Sequence, residues 1–346
     1  MKTIGLLTGG GDCPGLNAVI HTVVRAGIKA GIETVGVRNG WLGLIDRDLE
    51  PLTDFAISGI LPKGGTILGT SRTDPLKNPE DFQKIKSSMQ RYGFDGLIVI
   101  GGNGTLSAAA RVSEKGIPII GIPKTIDNDV YGTDMTVGFD TAVNIVTEAI
   151  DRLHSTAESH HRIMVLEVMG RDVGWIALMA GIAGGADIIL VPEISFSMDN
   201  VVKHLKDRYG AGKKFSIIAV AEGVSPEDIG AQPLPEGYHS NCGHSRFDCI
   251  GHSLGKELEK HTGIETRVTI LGHVQRGGTP TPYDRILATR FGAAAIDLVQ
   301  TGEYGKMVAL RGSKITSVPL SEVGGKKKTV DLALYELAKT ATWGSV

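Results

Sequence analysis

Short apolar runs alternate with helix-period segments along almost the whole chain, and glycine turns separate them. Residues 3–8 (TIGLLT) form a compact apolar run of the kind a buried parallel strand requires. Residues 16–30 (LNAVIHTVVRAGIKA) then bring Leu16, Val19, Val23, Ala26 and Ile28 near one face of a helix. The pairing recurs. Strand 95–100 precedes helix 104–114, and strand 118–121 follows it; helix 139–158 leads to strand 163–168, and helix 174–183 to strand 187–191. Helix 199–208 precedes strand 215–221, helix 250–261 precedes strand 266–271, and helix 283–300 precedes strand 306–310. Such alternation predicts an α/β protein with mainly parallel sheets covered by helices on both faces. Segment 224–248 is loop-rich and is expected to be an insertion or a crossing between lobes, while 323–328 (VGGKKK) reads as a solvated turn before a last helix around 330–340.

With 346 residues the chain is long enough for about two domains, each with its own core. Its 47 glycines carry no repeat, which points to many tight strand-to-helix turns. A net charge of −2 argues against a nucleic-acid surface or a basic membrane patch. The apolar runs are strand-sized or broken by charge, so no membrane span is expected. No secretory leader pattern opens the sequence, which points to the cytoplasm. Cys13, Cys242 and Cys249 are then expected to be reduced thiols. Cys242, Cys249, His244 and His252 fit no standard zinc spacing.

In sheets of this class ligands gather at the carboxyl ends of strands. GGGDCPG (9–15) sits there, after the first strand and before the first helix, where backbone N–H groups and a helix N-terminus favour an anion. The dinucleotide fingerprint fails, because Pro14 stands where its third glycine belongs and no acidic residue ends the second strand at Val37-Arg38. A Walker A loop is absent too. GGNGT (101–105) repeats the arrangement after the strand at 95–100, and SRTDP (71–75) adds Arg72 and Thr73 in a glycine-rich loop. Neighbouring glycine turns make a trough suited to a polyphosphate.

Phosphoryl transfer needs cations on the migrating group, a magnesium-bridged donor and a carboxylate to take the acceptor's proton. PKTIDND (123–129) supplies the carboxylates, and in an extended backbone Asp127 and Asp129 project on the same side. The competing reading is an Asx-turn, in which such side chains bond nearby backbone. A second set lies further on: Arg162, Met169-Gly170-Arg171, Glu222, Arg267, His273 and Arg276 all border strands. Arginines for phosphate and a glutamate for hydroxyls would suit a phosphorylated sugar.

GGGDCPGLN, GGNGT, PKTIDND, AIDRLHSTAESHHR, EVMGRDVGW, PEI, AEG and LGHVQRGGTPTPYDRILATRFG resemble, in order and near-spacing, the 6-phosphofructokinases. The resemblance runs through nearly the whole chain. It implies two similar Rossmann-like lobes with the active site in the cleft between them, homotetramers with shared active sites, and transfer of a phosphoryl group to the 1-hydroxyl of fructose 6-phosphate. The donor lobe is expected at 1–138 plus about 252–303, and the sugar-phosphate lobe at 139–251 plus about 304–346. By resemblance Asp127 is the general base and Asp129 a supporting carboxylate near Mg²⁺. Thr125 and Arg171 contact the migrating group, and Lys124 faces the donor. Gly11, Arg72, Thr73, Gly102, Asn103, Gly104 and Thr105 hold the donor. Met169, Gly170, Arg171, Glu222, His273 and Arg276 bind the sugar phosphate, with Arg162 and Arg267 reaching in from a neighbouring subunit.

Three departures matter. Users of diphosphate usually carry an aspartate at position 104 and a lysine at 124, whereas users of ATP carry glycine at both; Gly104 with Lys124 is a mixed pattern that favours ATP and leaves diphosphate as the alternative. Asn103 stands where the family usually has a carboxylate near the metal, so metal binding should weaken, and a non-catalytic sugar-phosphate sensor becomes a remote alternative. The family's effector pocket is basic, and here Arg25, Lys213 and Lys214 persist while His21, Asp54 and His154 replace other cations. Weak or absent regulation is expected.

Overall fold

The computed structural model describes residues 1–230 and 249–341. In chain order the strands and helices are β1 (Lys2–Thr8), α1 (Leu16–Ala30), β2 (Ile32–Val37), α2 (Trp41–Asp46), β3 (Leu49–Pro51), α3 (Pro79–Arg91), β4 (Gly96–Gly101), α4 (Asn103–Glu114) and β5 (Ile119–Pro123). There follow α5 (Phe139–His160), β6 (Ile163–Val168), α6 (Trp175–Gly184), β7 (Ile188–Leu190), α7 (Met198–Gly210), β8 (Ser216–Ala221), α8 (Ile250–Thr262) and β9 (Thr266–Ile270). A 3₁₀ turn (Gly272–Arg276) precedes α9 (Pro282–Thr301), β10 (Lys306–Arg311), β11 (Lys314–Pro319), α10 (Leu320–Val323) and α11 (Leu332–Ala341).

The chain divides into two compact units, Met1–Thr141 with Arg276–Lys328, and Ala142–Gln275 with Thr329–Val346. The first holds a seven-stranded sheet of order β11-β10-β5-β4-β1-β2-β3, parallel except for the edge strands β3 and β11. Its β1, β4 and β5 are apolar almost throughout, as strands covered on both faces must be. The second unit holds a parallel four-stranded sheet of order β7-β8-β6-β9. Its core gathers Ile163, Val165, Ile218 and Val220 from the strands and Val201, Leu205, Leu254 and Leu258 from the helices.

The units depart from the expected boundaries. Segment 304–328 belongs to the first, because β10 pairs with β5 at Lys306↔Ile120 and Met307↔Gly121. Segment 252–275 belongs to the second, because β9 pairs with β6 over five residues. The chain returns to the second unit after Lys328, where the Val330 N–H donates to Glu193 (3.2 Å). The segment 323–328 turns at Gly324-Gly325 and exposes Gly325, Lys326 and Lys327, as expected, but it is also fastened at both ends. Val323 is buried, and Lys327 forms an antiparallel bridge with Val130. Most of the loop-rich stretch expected at 224–248 lies outside the described residues. Cys13 is a free, buried thiol, but Cys249 is disulfide-bonded, so the expectation of reduced thiols fails at that residue. Ile28 leaves the expected apolar stripe of α1 and is exposed. Gly27 takes the core-facing place, where a Cβ would lie 3.2 Å from the Ile32 carbonyl.

Asp284 at the start of α9 is fully buried and fastens the start of α5. One carboxylate oxygen accepts the Gly138 N–H (2.8 Å), and the other accepts the Thr141 N–H (2.8 Å) and hydroxyl (2.6 Å). Burial, outweighing those donors, lifts its pKa to about 6. The folded state therefore binds this proton more tightly than the unfolded chain. The resulting stability is present below pH 3.8 and is lost as pH rises through about 6. Asp284→Asn turns an NH₂ toward N–H donors and should cost about 1–3 kcal/mol. Denaturant unfolding of both proteins at pH 4.5 and 7 checks this, with the wild-type advantage expected to shrink at the higher pH.

Candidate active site

Three adjacent strands, β1, β4 and β5, end beside one another, and the order of the sheet reverses between β4 and β1. Each strand runs into a motif singled out in the sequence. The turn after β1 is tied to its neighbours by Gly9 N–H to the Ile100 carbonyl (2.9 Å) and Gly10 N–H to the Ser71 carbonyl (3.2 Å). Gly10 takes a φ of 78°, which a side chain would strain. Thr105 packs its side chain against Gly9 and Gly101, where a Cβ would come within 2.7 Å and 2.4 Å of it. It locks the two glycine turns together. Neither α1 nor α4 has a side-chain cap at its N-terminus, so first-turn N–H groups stay available to an anion. Arg72 is exposed, next to the Ser71 carbonyl that holds Gly10, and Thr73 accepts from the Ser71 hydroxyl (3.1 Å).

Lys124 is 1% exposed. Its ammonium donates to the carbonyls of Gly9 (3.0 Å) and Gly11 (2.5 Å), so it grips the backbone of the first glycine turn. Burial pulls its pKa down from the lysine value. The lysine expected to face the donor is bonded instead to the backbone of the turn, with its ammonium beneath the peptide groups of Gly9 and Gly11. Arg276 reaches the same turn: a Cβ on Gly11 would lie 2.5 Å from its guanidinium, which also donates to the Asp12 carbonyl (3.4 Å). Cys13 lies behind the turn, and burial pushes its thiol up to about 12.

The PKTIDND segment is not extended at its centre. Asn128 has a left-handed φ of 51°, so the argument that placed Asp127 and Asp129 on one side by strand alternation does not hold. Asparagine tolerates that conformation because its amide bonds local backbone. Here it accepts from the Thr136 N–H (3.1 Å) and donates to the Asp134 carbonyl (3.3 Å). The Asx reading is right for Asn128. Asp127 and Asp129 are 5% and 7% exposed. The Thr125 hydroxyl lies 3.2 Å from Asp127 Oδ2. The Asn103 amide nitrogen lies 2.6 Å from Asp129 Oδ2 and 3.0 Å from the Asp129 carbonyl. Two acceptors around one atom fix the amide orientation, with its N–H₂ toward Asp129.

That orientation leaves Asn103 Oδ1 buried and accepting no hydrogen bond among the described residues. A neutral oxygen on a side chain bonded to the Asp129 carboxylate fits a magnesium ion, which takes one or two carboxylates and keeps waters and phosphate oxygens for its other positions. No group of three or more His, Cys, Asp or Glu able to enclose a metal occurs among the described residues.

In the second unit the turn after β6 sits on Glu222. One carboxylate oxygen accepts the N–H groups of Gly170 (3.3 Å) and Arg171 (2.8 Å), and Met169 N–H donates to the buried Gln275 (3.2 Å). Gly170 (φ 152°) and Arg171 (φ 55°) both take positive φ, and a Cβ on Gly223 would strike the Arg171 carbonyl at 2.0 Å. His273 is exposed in the turn beyond β9. Arg162 and Arg267 meet elsewhere, at the amino ends of β6 and β9, where both pair with Glu265, the Arg162 contact being 2.7 Å. The six residues of β6 separate them from Met169–Arg171 by about 20 Å. Arg276 falls in the first unit, while Met169, Gly170, Arg171, Glu222 and His273 fall in the second.

Residues 3–299 match the family model described as Phosphofructokinase. The chain belongs to the phosphofructokinase family. It is a phosphotransferase. Among relatives, a "Pyrophosphate--fructose 6-phosphate 1-phosphotransferase" of Streptomyces coelicolor is 53% identical over 96% of this chain and 97% of its own. An "ATP-dependent 6-phosphofructokinase 3" of the same organism is 51% identical over 97% of this chain and 98% of its own. Phosphofructokinase of Saccharomyces cerevisiae superposes with a TM-score of 0.81 at 33% identity, over 93% of this chain; this chain spans 45% of the yeast one.

Sequence reasoning about this phosphofructokinase passed over Gln275 and Lys328. Gln275 is completely buried and holds both Met169 and the Gly272 carbonyl (3.1 Å). A glutamine between a histidine and an arginine in LGHVQRGG offered a signal. Lys328 gave none, being the last of three lysines after two glycines. No described helix is long and apolar enough to cross a membrane.

Proposed function

We propose that this cytoplasmic phosphofructokinase transfers the terminal phosphoryl group of ATP to the 1-hydroxyl of fructose 6-phosphate, with Mg²⁺. The observation that carries the donor is Gly104: nothing lies within 4 Å of where its Cβ would be, at the uncapped start of α4. That space accommodates an α-phosphate. In this reading Asp127 takes the proton of the sugar hydroxyl, and Thr125 and Arg171 donate to the migrating group. Gly11, Arg72, Thr73 and residues 102–105 hold the donor, with Lys124 and Arg276 behind the first turn. Met169, Gly170, Glu222 and His273 take the sugar phosphate. Asp129 and Asn103 Oδ1 would hold the metal, which when bound screens the charge of the donor phosphates. Arg162 and Arg267, remote from the rest of the sugar set within one chain, would serve the site of a neighbouring subunit in a homotetramer.

A second reading, with diphosphate as donor, draws on Lys124, whose buried charge beneath the first turn serves a short donor equally well, and on the Streptomyces relative named for pyrophosphate. Turnover of fructose 6-phosphate with Mg²⁺ and, in parallel, ATP or diphosphate tests both. Activity with ATP at least tenfold above that with diphosphate supports the first, and the reverse supports the second. Turnover with neither returns the chain to a sensor. Weak regulation accompanies either reading: Arg25 is paired with Asp54 at 2.6 Å, and burial holds the His21 pKa down, so of the pocket's expected cations Lys213 and Lys214 are left to meet an anionic effector. Hyperbolic kinetics unaffected by phosphoenolpyruvate are expected, and sigmoidal inhibition would overturn this.

A further inference from the structure

Asp129 opens a loop, residues 129–134, that must return to β10 before the chain turns into Val137. The three lysines at 326–328 each touch it. Lys326 places its ammonium 4.8 Å from the centre of the Tyr131 ring, and Lys327 bridges Val130 in antiparallel register. Lys328 does more. Its backbone N–H donates to the Asp129 carbonyl (2.9 Å), while its ammonium donates to the carbonyls of Thr133 (3.0 Å) and Asp134 (2.7 Å). One residue therefore ties the first residue of the loop to the last two.

We propose that Lys328 is a positioning residue for phosphoryl transfer, holding the 129–134 loop closed so that the Asp129 carboxylate stays beside Asn103. The inference rests on the reading of Asp129 as a working carboxylate. The Asp129 carbonyl accepts both the Lys328 N–H and the Asn103 amide (3.0 Å), so the strap and the carboxylate's partner converge on one peptide group. The far end is anchored independently: Leu310 N–H donates to the Thr133 hydroxyl (3.0 Å), Asp134 N–H to the Leu310 carbonyl (2.9 Å), and Gly312 N–H to the Asp134 carboxylate (2.6 Å). Lys328 links that fixed end to the end that carries Asp129. The Asp134 carbonyl it holds also accepts from Asn128 (3.3 Å), the residue that sets the turn between the two aspartates. The chain enters the second unit at the next residue.

Lys328→Met keeps the length of the side chain and removes its donors; Lys328→Arg keeps donors for both carbonyls. For the full chain, kcat and the KM for fructose 6-phosphate are measured with Mg²⁺ and whichever donor supports turnover. Amide hydrogen exchange is followed in the ligand-free protein. Lys328→Met is expected to lower kcat roughly 10- to 100-fold, since a shift of about 1 Å at a reacting group costs that much, with KM changed less than about threefold. Exchange should quicken at the amides of 129–136 and stay unchanged in β1 and β6, and Lys328→Arg should restore most of both. An unchanged kcat, a rise in KM alone, or exchange at 129–136 like that of the wild type overturns the proposal. If Lys328→Met does not fold, Lys328→Arg decides: exchange and kcat near wild type support the strap, and losses as large as those of Asp129→Asn overturn it. A wild type without turnover on either donor would refute the proposed function, while the exchange measurement would still judge the strap.

Discussion

Asp127→Ser is expected to lower kcat about 10²- to 10⁴-fold, which corresponds to roughly 3–5 kcal/mol of transition-state stabilisation. The group lost is a buried carboxylate with the Thr125 hydroxyl 3.2 Å from one oxygen. Its backbone N–H also donates to that hydroxyl, so Thr125 fixes the residue whatever its side chain. Serine keeps a polar atom near Thr125 and removes only the base. Met169, Gly170 and Glu222 belong to the other compact unit. Affinity for fructose 6-phosphate, measured by titration calorimetry without donor, should therefore stay within about threefold of the wild type. An unchanged kcat removes Asp127 from the role of base. Loss of sugar affinity in parallel with kcat would mean that the residue binds substrate instead.

What the chain disclosed before folding, and what it withheld, follows from the range of the interactions involved. Helix α1 spans 16–30 and β6 spans 163–168, as the apolar pattern alone predicts, because both bury a face whose spacing is local. The glycine turns were equally legible, since a strand, a glycine run and a helix in succession leave few other conformations. Asn128 was not, because its left-handed φ depends on Asp134 and Thr136, six and eight residues on. Lys124 was half legible. Its type points to an anion, but only the neighbouring strand shows that its charge is spent on the carbonyls of Gly9 and Gly11, more than a hundred residues earlier. The strap at 326–328 pairs with a segment far away in sequence, and its three lysines carry no buried periodicity. Asn103 is the reverse case: the substitution was plain in the sequence, but its consequence, an amide bound to Asp129 with its oxygen left over, needed the fold.

Gly104→Asp should separate the two donors. Nothing lies within 4 Å of the added Cβ, so the substitution brings no overpacking, and an acidic side chain in the first turn of α4 suits the helix dipole. Thermal stability should change little. What changes is the charge at the mouth of the second glycine turn. A carboxylate about 5 Å from a phosphate, at an effective dielectric constant of about 20, repels it by roughly 3 kcal/mol, or about 10²-fold in affinity. A nucleoside triphosphate must place its α-phosphate somewhere along this trough, whereas diphosphate ends one phosphate earlier. The expected result is a fall of about 10²-fold in kcat/KM for ATP with less than about threefold change for diphosphate. Equal losses with both donors would mean that the charge acts on the migrating phosphoryl itself, and that position 104 does not select between them. No loss with ATP would place the nucleotide away from α4 altogether. In either case the selection would pass to the first glycine turn, where Lys124 and Arg276, far apart in sequence, converge on Gly11 and set the charge that any donor meets.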